Sequence, residues 1–288
     1  MVNNVAQYRT AIQAGESALQ ALQRESDLAE SVLLDAACKG AVWVSLQRGK
    51  GQTRPRRLRA LCTDISAGSL VMLNYNPQLL ATTAQSMRCV ADHVNYGIWF
   101  KPAGMHCQGS KWSDHTVATE VAASIQGRHC YLVHRLDRAA RGLMLIAYTK
   151  NALRNLAGMF EKREVKKTYQ ATVVGNFQHA LPFRIDSSID GRTALTTVNQ
   201  TMPDKLNQCS VLTLSIETGR KHQIRRHLSQ LGHPIVGDRL YAGQDDALTT
   251  DIDLQLVACH LEFNCPFTAD HVSVSIEADE ALAPQVTS

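Results

Sequence analysis

The segment Val133-His-Arg135-Leu-Asp137-Arg138-Ala139-Ala140-Arg141-Gly142-Leu-Met-Leu-Ile-Ala147 sets one carboxylate among three arginines. Nearby guanidinium charge favours the ionised form of a carboxylate, which suits Asp137 to act as a nucleophile or a base. The competing reading is a turn aspartate that caps backbone amides and pairs with arginine. A second segment runs from Glu217 to Leu228 as Glu-Thr-Gly-Arg-Lys-His-Gln-Ile-Arg-Arg-His-Leu, with Gly-His-Pro-Ile-Val-Gly-Asp following at 232–238. On a helix starting near Lys221, the residues His222, Arg225 and Arg226 fall within one turn of each other. Arg225 or Arg226 is then within reach of the Asp137 turn. Arg226 and Lys221 are expected to point to solvent. In a third segment, 160–175, basic residues lead into a strand carrying Tyr169. Such a tyrosine is usually a core or edge residue, but beside a basic loop it can stack on a base.

These side chains need ordered elements to hold them. Helices are expected at 115–126, 150–162 and 222–231. Strands are expected at 96–100, 143–148, 168–174, 193–199, 211–217, 256–263 and 272–277. Leu212, Leu214 and Ile216 alternate, as do Val272, Val274 and Ile276. Strands outnumber helices and are not regularly interleaved with them. The fold class is therefore α+β with a mixed or antiparallel sheet, not a doubly wound one.

The N-terminal part reads differently. Val5, Tyr8, Ile12, Leu19, Leu22, Leu28 and Val32 suggest one helix over 4–34, with Gly15 as its weak point. A helix ending at Gly40, a strand at 41–46, a basic loop at 48–59 and a strand at 70–75 follow. Residues 76–91 carry little charge and read as a linker. The helix, Lys39-Gly-Ala-Val-Trp-Val44, the basic loop and Ile65-Ser-Ala-Gly-Ser-Leu-Val-Met-Leu73 together resemble the second half of an S4-type RNA-binding module. The resulting division is a helical extension over 1–31, an S4-like RNA-binding module over 32–80 and a catalytic domain over 81–288.

Composition bounds the partners. The 288 residues carry 30 Lys+Arg and 26 Asp+Glu, for a net charge of +4, and 44% are hydrophobic. Disordered and collagen-like classes are excluded. No apolar run approaches membrane-spanning length, and the first nine residues lack an apolar signal core. A cytoplasmic protein away from membranes is expected. Eight scattered cysteines without Cys-x-x-Cys read as thiols of a reducing compartment, and the adjacent His-Cys pairs do not suit one tetrahedral metal. Neither a Gly-x-x-x-x-Gly-Lys-Ser/Thr loop nor a dinucleotide fingerprint occurs.

The charge is unevenly spread. Residues 1–240 hold 30 basic and 17 acidic groups, a balance of +13, while 241–288 hold nine acidic groups and no Lys or Arg. The window 36–63 has seven basic residues, among them Arg54, Arg56 and Arg57, and no acidic one. Such asymmetry suits a polyanion, most often nucleic acid; the alternative is a solvated basic loop.

The three motif segments together resemble the RluA-type family of pseudouridine synthases. Its motifs stand here as His134–Leu143, Lys167–Tyr169, Gly219–His227 and Gly232–Asp238. Lys101-Pro-Ala-Gly104 matches the opening of the family's catalytic domain, and the Leu256-x-Ala258…Leu261-x-Phe263 pattern also fits. The resemblance covers about residues 90–282 in the family's order. It implies an isomerase that breaks the N1–C1′ bond of uridine in ribosomal or transfer RNA, turns the base and rejoins it through C5. It further implies Asp137 as nucleophile, Tyr169 stacked on the target base and Arg225 paired to Asp137. Arg135 would replace the flipped uridine. RNA contacts are implied at Lys167, Arg220, His222 and Gln223, with Arg54, Arg56 and Arg57 in the basic module. No metal or organic cofactor is implied, and a monomer is expected.

Two departures lie beside the implied site. Ala139-Ala140-Arg141 replaces the family's usual Asp/Glu-Thr-Ser, and Lys221 stands where Thr or Ser is usual. The competing function is a non-catalytic RNA-binding protein that keeps the fold. A glycoside hydrolase would need a second carboxylate near Asp137.

Overall fold

The computed structural model describes residues 5–204, 208–242 and 252–282. The chain divides into two compact units. The first comprises Met1–Gln85 with Gln108–Val121, and the second Ser86–Cys107 with Ala122–Ser288. Asp245, Asp246 and Asp251 of the acidic C-terminal stretch lie outside the described residues.

The first unit contains β1 (Ala6–Ala11), α1 (Ala18–Ser26), α2 (Glu30–Cys38), β2 (Val42–Ser45), β3 (Gln47–Arg48), β4 (Gly51–Gln52), β5 (Arg56–Arg57), β6 (Leu70–Tyr75) and α3 (Pro77–Leu80). An antiparallel sheet of order β1-β6-β2-β5 shares a core with α1 and α2. Leu22, Leu33, Ala37, Val42, Val44, Leu61, Val71 and Leu73 are buried together there. Each large aliphatic side chain so buried contributes about 1.5–3 kcal/mol.

A single helix over 4–34 does not form. Residues 6–11 pair with β6, from Ala6 opposite Tyr75 to Ala11 opposite Leu70. Tyr8, Thr10 and Ile12 face inward while Gln7, Arg9 and Ala11 are exposed. Tyr8 and Ile12 fit both periods, and so few apolar positions do not separate them. Gly15, with φ +78°, then turns the chain. Ser17 restarts it as α1 through a capping box: its hydroxyl accepts the Gln20 N–H, and the Gln20 side chain accepts the Ser17 N–H. Nor is 76–91 a bare linker. It holds α3, capped by Asn76, and most of an edge strand, β7 (Arg88–Asp92).

The second unit continues with β8 (Tyr96–Lys101), α4 (Ala118–Gln126), which the division splits, β9 (Tyr131–Leu132), β10 (Arg141–Ala147) and α5 (Lys150–Glu161). Then come β11 (Lys166–Val174), β12 (Phe183–Asp186), β13 (Leu195–Asp204), β14 (Cys209–Ile216), α6 (Gln223–Gln230), β15 (Leu256–Asn264) and β16 (His271–Ser275). One ten-stranded sheet runs β12-β13-β14-β11-β15-β10-β8-β7, with β16 on β15 and β9 on β10. The fold is thus α+β with a mixed sheet. Every pairing in it is antiparallel except β10 with β15, which meet in parallel over Arg141–Val257 and Gly142–Ala258. Gly142 makes that approach possible. Its φ is +121°, and a Cβ there would lie 2.5 Å from the Ala258 backbone nitrogen. The core beneath α5 gathers Tyr96, Ile98, Leu143, Leu145, Leu156, Leu261 and Phe263.

Candidate active site

Asp137 sits on the turn between β9 and β10, and the Lys-Pro-Ala-Gly segment braces that turn. The Ala140 N–H donates to the Asp137 carbonyl at 3.2 Å, and the Gly104 N–H to the Arg138 carbonyl at 2.8 Å. Cys107 and Leu136 exchange two bonds of 3.3 Å. Lys101 is fully buried, and its Nζ donates to the carbonyls of Pro102 (2.9 Å), Met105 (3.0 Å), Arg138 (3.4 Å) and Ala140 (2.7 Å). Burial lowers its pKa to about 8, against the pull of Cys107 and Asp137. Lys101→Met would leave these carbonyls facing a thioether. The expected cost is about 3 kcal/mol, read as a lower urea midpoint with unchanged m-value.

The cation beside Asp137 does not come from its own segment. Arg135 is exposed, Arg138 donates from Nε to the Gly104 carbonyl at 3.1 Å, and Arg141 donates to the Glu280 carbonyl at 3.2 Å. Arg225, in the first turn of α6, takes that place, with Nη1 3.7 Å from Asp137 Oδ2. Its other edge is locked on Asp238, Nε to Oδ2 at 2.8 Å and Nη2 to Oδ1 at 2.6 Å. Both partners are buried, Arg225 at 4% and Asp238 at 0% exposure. Asp238 Oδ1 also accepts the N–H groups of Leu240 (3.0 Å) and Tyr241 (3.3 Å). Burial opposes the charge on Arg225, but Asp238 and then Asp137 outweigh it and hold its pKa above the usual value. Arg226 instead pairs with Asp190 at 3.0 Å, away from Asp137.

His222 caps α6 with φ +55°. Its Nε2 lies 3.8 Å from Asp137 Oδ1, and its Nδ1 shares a 2.8 Å hydrogen bond with the Tyr241 hydroxyl. Burial lowers its pKa despite the carboxylate, which leaves the ring neutral at pH 7.

A cavity of about 740 Å³ opens over this carboxylate, lined by Asp137, Tyr169, Arg225, Arg135, Lys167, Arg220, His222 and Gln223. Tyr169 lies on β11, between Leu214 of β14 and Ala258 of β15. An extra residue in β15, Cys259, kinks the ladder there. Burial and then the Asp137 charge raise the Tyr169 pKa, so its hydroxyl stays protonated. Lys167 precedes it by two residues and faces the same side of the strand. His134 stacks on Phe160 at 4.4 Å, and its Nε2 accepts the Leu145 N–H at 2.9 Å. Burial, helped by Lys167, drives the His134 pKa to about 3, and the ring is neutral.

Gln223 lines the cavity but spends its amide on the protein. Its Nε2 donates to Leu195 O (2.9 Å) and Thr196 Oγ1 (3.1 Å), and its Oε1 accepts from Thr218 Oγ1 (2.7 Å) and Arg220 N (3.1 Å). In the first unit Arg54 and Arg56 are exposed. Arg57 is committed: its Nε pairs with Asp114 at 2.8 Å and its guanidinium lies 4.5 Å over Trp43. Asp238, Lys101 and Tyr241 are the functional residues that sequence reasoning left without a role.

Comparison with known proteins bears on what this arrangement does. Residues 95–230 match a family model described as RNA pseudouridylate synthase. The chain is 30% identical to the tRNA pseudouridine synthase C of Yersinia pestis over 211 residues, covering 62% of this chain and 82% of that protein. It is 31% identical to the protein of the same name from Pasteurella multocida, with 62% and 86% covered. In fold it is similar to human RNA pseudouridylate synthase domain containing 1, with a TM-score of 0.58 and 21% identity over 68% of this chain and 85% of that one. The matched stretch contains Asp137, Tyr169 and Arg225, and the chain belongs to the RNA pseudouridylate synthase family, isomerases that act on RNA.

Proposed function

We propose that the chain converts uridine to pseudouridine in transfer RNA, with Asp137 as the group that meets the sugar. The setting of Asp137 carries this reading: a carboxylate lining a cavity of about 740 Å³, beside a cation already fixed by a second buried carboxylate. Breaking N1–C1′ builds positive charge on C1′, and an anion on that face stabilises or traps it. Two further carboxylates, Glu161 and Glu217, line the cavity, but both are exposed, and Glu217 pairs with Arg163 at 3.6 Å. A hydrolase's general acid needs desolvation that neither has. In an isomerisation the base leaves and returns, so no such acid is required.

Tyr169 packs against the extruded base. Arg135, exposed at the rim, fills the vacated place by stacking and hydrogen bonding. Lys167 meets the target base, and Arg220 and His222 contact the RNA from the loop that Gln223 shapes. Arg54 and Arg56 offer the S4-like first unit's charge to the backbone, and Arg57 holds that unit together. Transfer RNA is chosen over ribosomal RNA because the relatives described above carry it in their names. The test incubates the purified protein with unmodified transfer RNA and ribosomal RNA separately and maps pseudouridine. New pseudouridine at discrete transfer-RNA positions is expected. None in either pool sinks the proposal, and modification of ribosomal RNA alone moves the target.

A further inference from the structure

When N1–C1′ breaks, both electrons of the bond stay with the ring, and the detached uracil is an anion delocalised over N1, O2 and O4. The groups around Asp137 serve the sugar, not this base. Arg225 is held by Asp238, and His222 and His134 are neutral. Lys167 stands apart from them. It is half-buried in the cavity wall, on the Tyr169 face of β11. Among the described residues no carboxylate lies within ion-pairing distance of it, and its Nζ makes no hydrogen bond; it lies 5.4 Å over the Phe160 ring. Its neighbour Lys166, exposed on the other face, has a partner, Glu262, at 2.7 Å. An ammonium taken partly out of water without a counterion is costly, and here burial alone lowers its pKa. Such a group is short of an anion.

We propose that Lys167 stabilises the uracil anion between cleavage and rejoining. This rests on the reading of the Asp137 cavity as the place of isomerisation. In that sequence C1′–N1 breaks with its electron pair going to uracil, while the Asp137 carboxylate meets C1′. The ring turns until C5 faces C1′. A C5–C1′ bond forms from the ring's electrons as the carboxylate is released, the C5 proton is lost and N1 takes one up. The product is an isomer of the same charge. Lys167 stays protonated throughout and supplies charge at the moment the ring carries it.

A lysine in this position also suits an RNA phosphate, and the experiment separates the two. Single-turnover rates are measured on RNA carrying uridine or 5-fluorouridine at the target, the latter followed as loss of the fluorinated nucleotide. Fluorine stabilises the departing anion and lessens the need for a cation. Lys167→Met is expected to slow the uridine reaction roughly 100-fold with RNA affinity nearly unchanged. With 5-fluorouridine the defect shrinks below about tenfold, and Lys167→Arg keeps most of the rate. Equal slowing on both substrates overturns the proposal. So does a loss of affinity alone with the salt slope reduced by about one, the mark of a phosphate contact. Asp137→Asn serves as control. If it remains active, the reading of the cavity fails; if it is inactive while Lys167→Met is fully active, this inference alone fails.

Discussion

Asp137→Asn should bind RNA within about twofold of the parent and lose pseudouridine formation by at least about 10⁴-fold in single turnover. The amide is nearly isosteric, so the cavity and the contacts of Tyr169 and Lys167 persist. It carries no negative charge, and it neither traps nor stabilises an electron-poor C1′. The fold is not at stake. Arg225 keeps its two hydrogen bonds to Asp238, and the contact it loses is the longer one, at 3.7 Å. Affinity rests mostly on phosphate contacts and is therefore separable from the chemical step. Rate measurement and filter binding on one preparation decide the matter: residual turnover above 1% of the parent would remove Asp137 from the chemistry.

Asp238→Asn has the second large effect, and of a different kind. Asp238 has no exposed surface and accepts two bonds from Arg225 and two from backbone amides. Without its charge, Arg225 is a buried cation whose nearest remaining anion is Asp137. Breaking such a pair costs about 3–5 kcal/mol. The guanidinium also loses the fork that sets its distance from Asp137, and a misplacement near 1 Å lowers the rate by about 10²-fold. Arg225→Lys should behave similarly, because an ammonium cannot make the bidentate contact. Urea unfolding and the rate at saturating RNA check both variants. Parental stability in Asp238→Asn would show that the pair does not clamp the site.

Asp137, Tyr169 and Arg225, which line one cavity, could be singled out because each stood in a segment whose neighbours gave it a chemical context. From the residues alone, the partner of Asp137 stayed open between the arginines of its own segment and Arg225 or Arg226. Three arginines, each within four residues of Asp137, suggested local pairing, yet the turn directs Arg138 and Arg141 to the carbonyls of Gly104 and Glu280. The real partner follows 88 residues later, a distance that only the sheet closes. Asp238 closed the Gly232–Asp238 motif without an assigned role; burial and the fork to Arg225 give it one, and a lone aspartate's burial is not written locally. The long strands such as β14 declared themselves through alternation, whereas β7 and β12 are edge strands of five and four residues, too short for a period to register. The stretch around 6–11 misled because two apolar side chains, Tyr8 and Ile12, fit two periods at once.

The lashing of the catalytic turn by Lys101 has a consequence for selection among RNA sites. Four carbonyls tied to one buried ammonium give the turn little freedom to bend toward a substrate. The adjustment on encounter then falls to the nucleic acid, which must bring its sugar to a carboxylate that stays put. A uridine already loosened from its stack makes that journey cheaply, while one in a regular duplex spends a few kcal/mol first. Under the proposed function, a turn held in this way favours the uridines that the RNA gives up most readily.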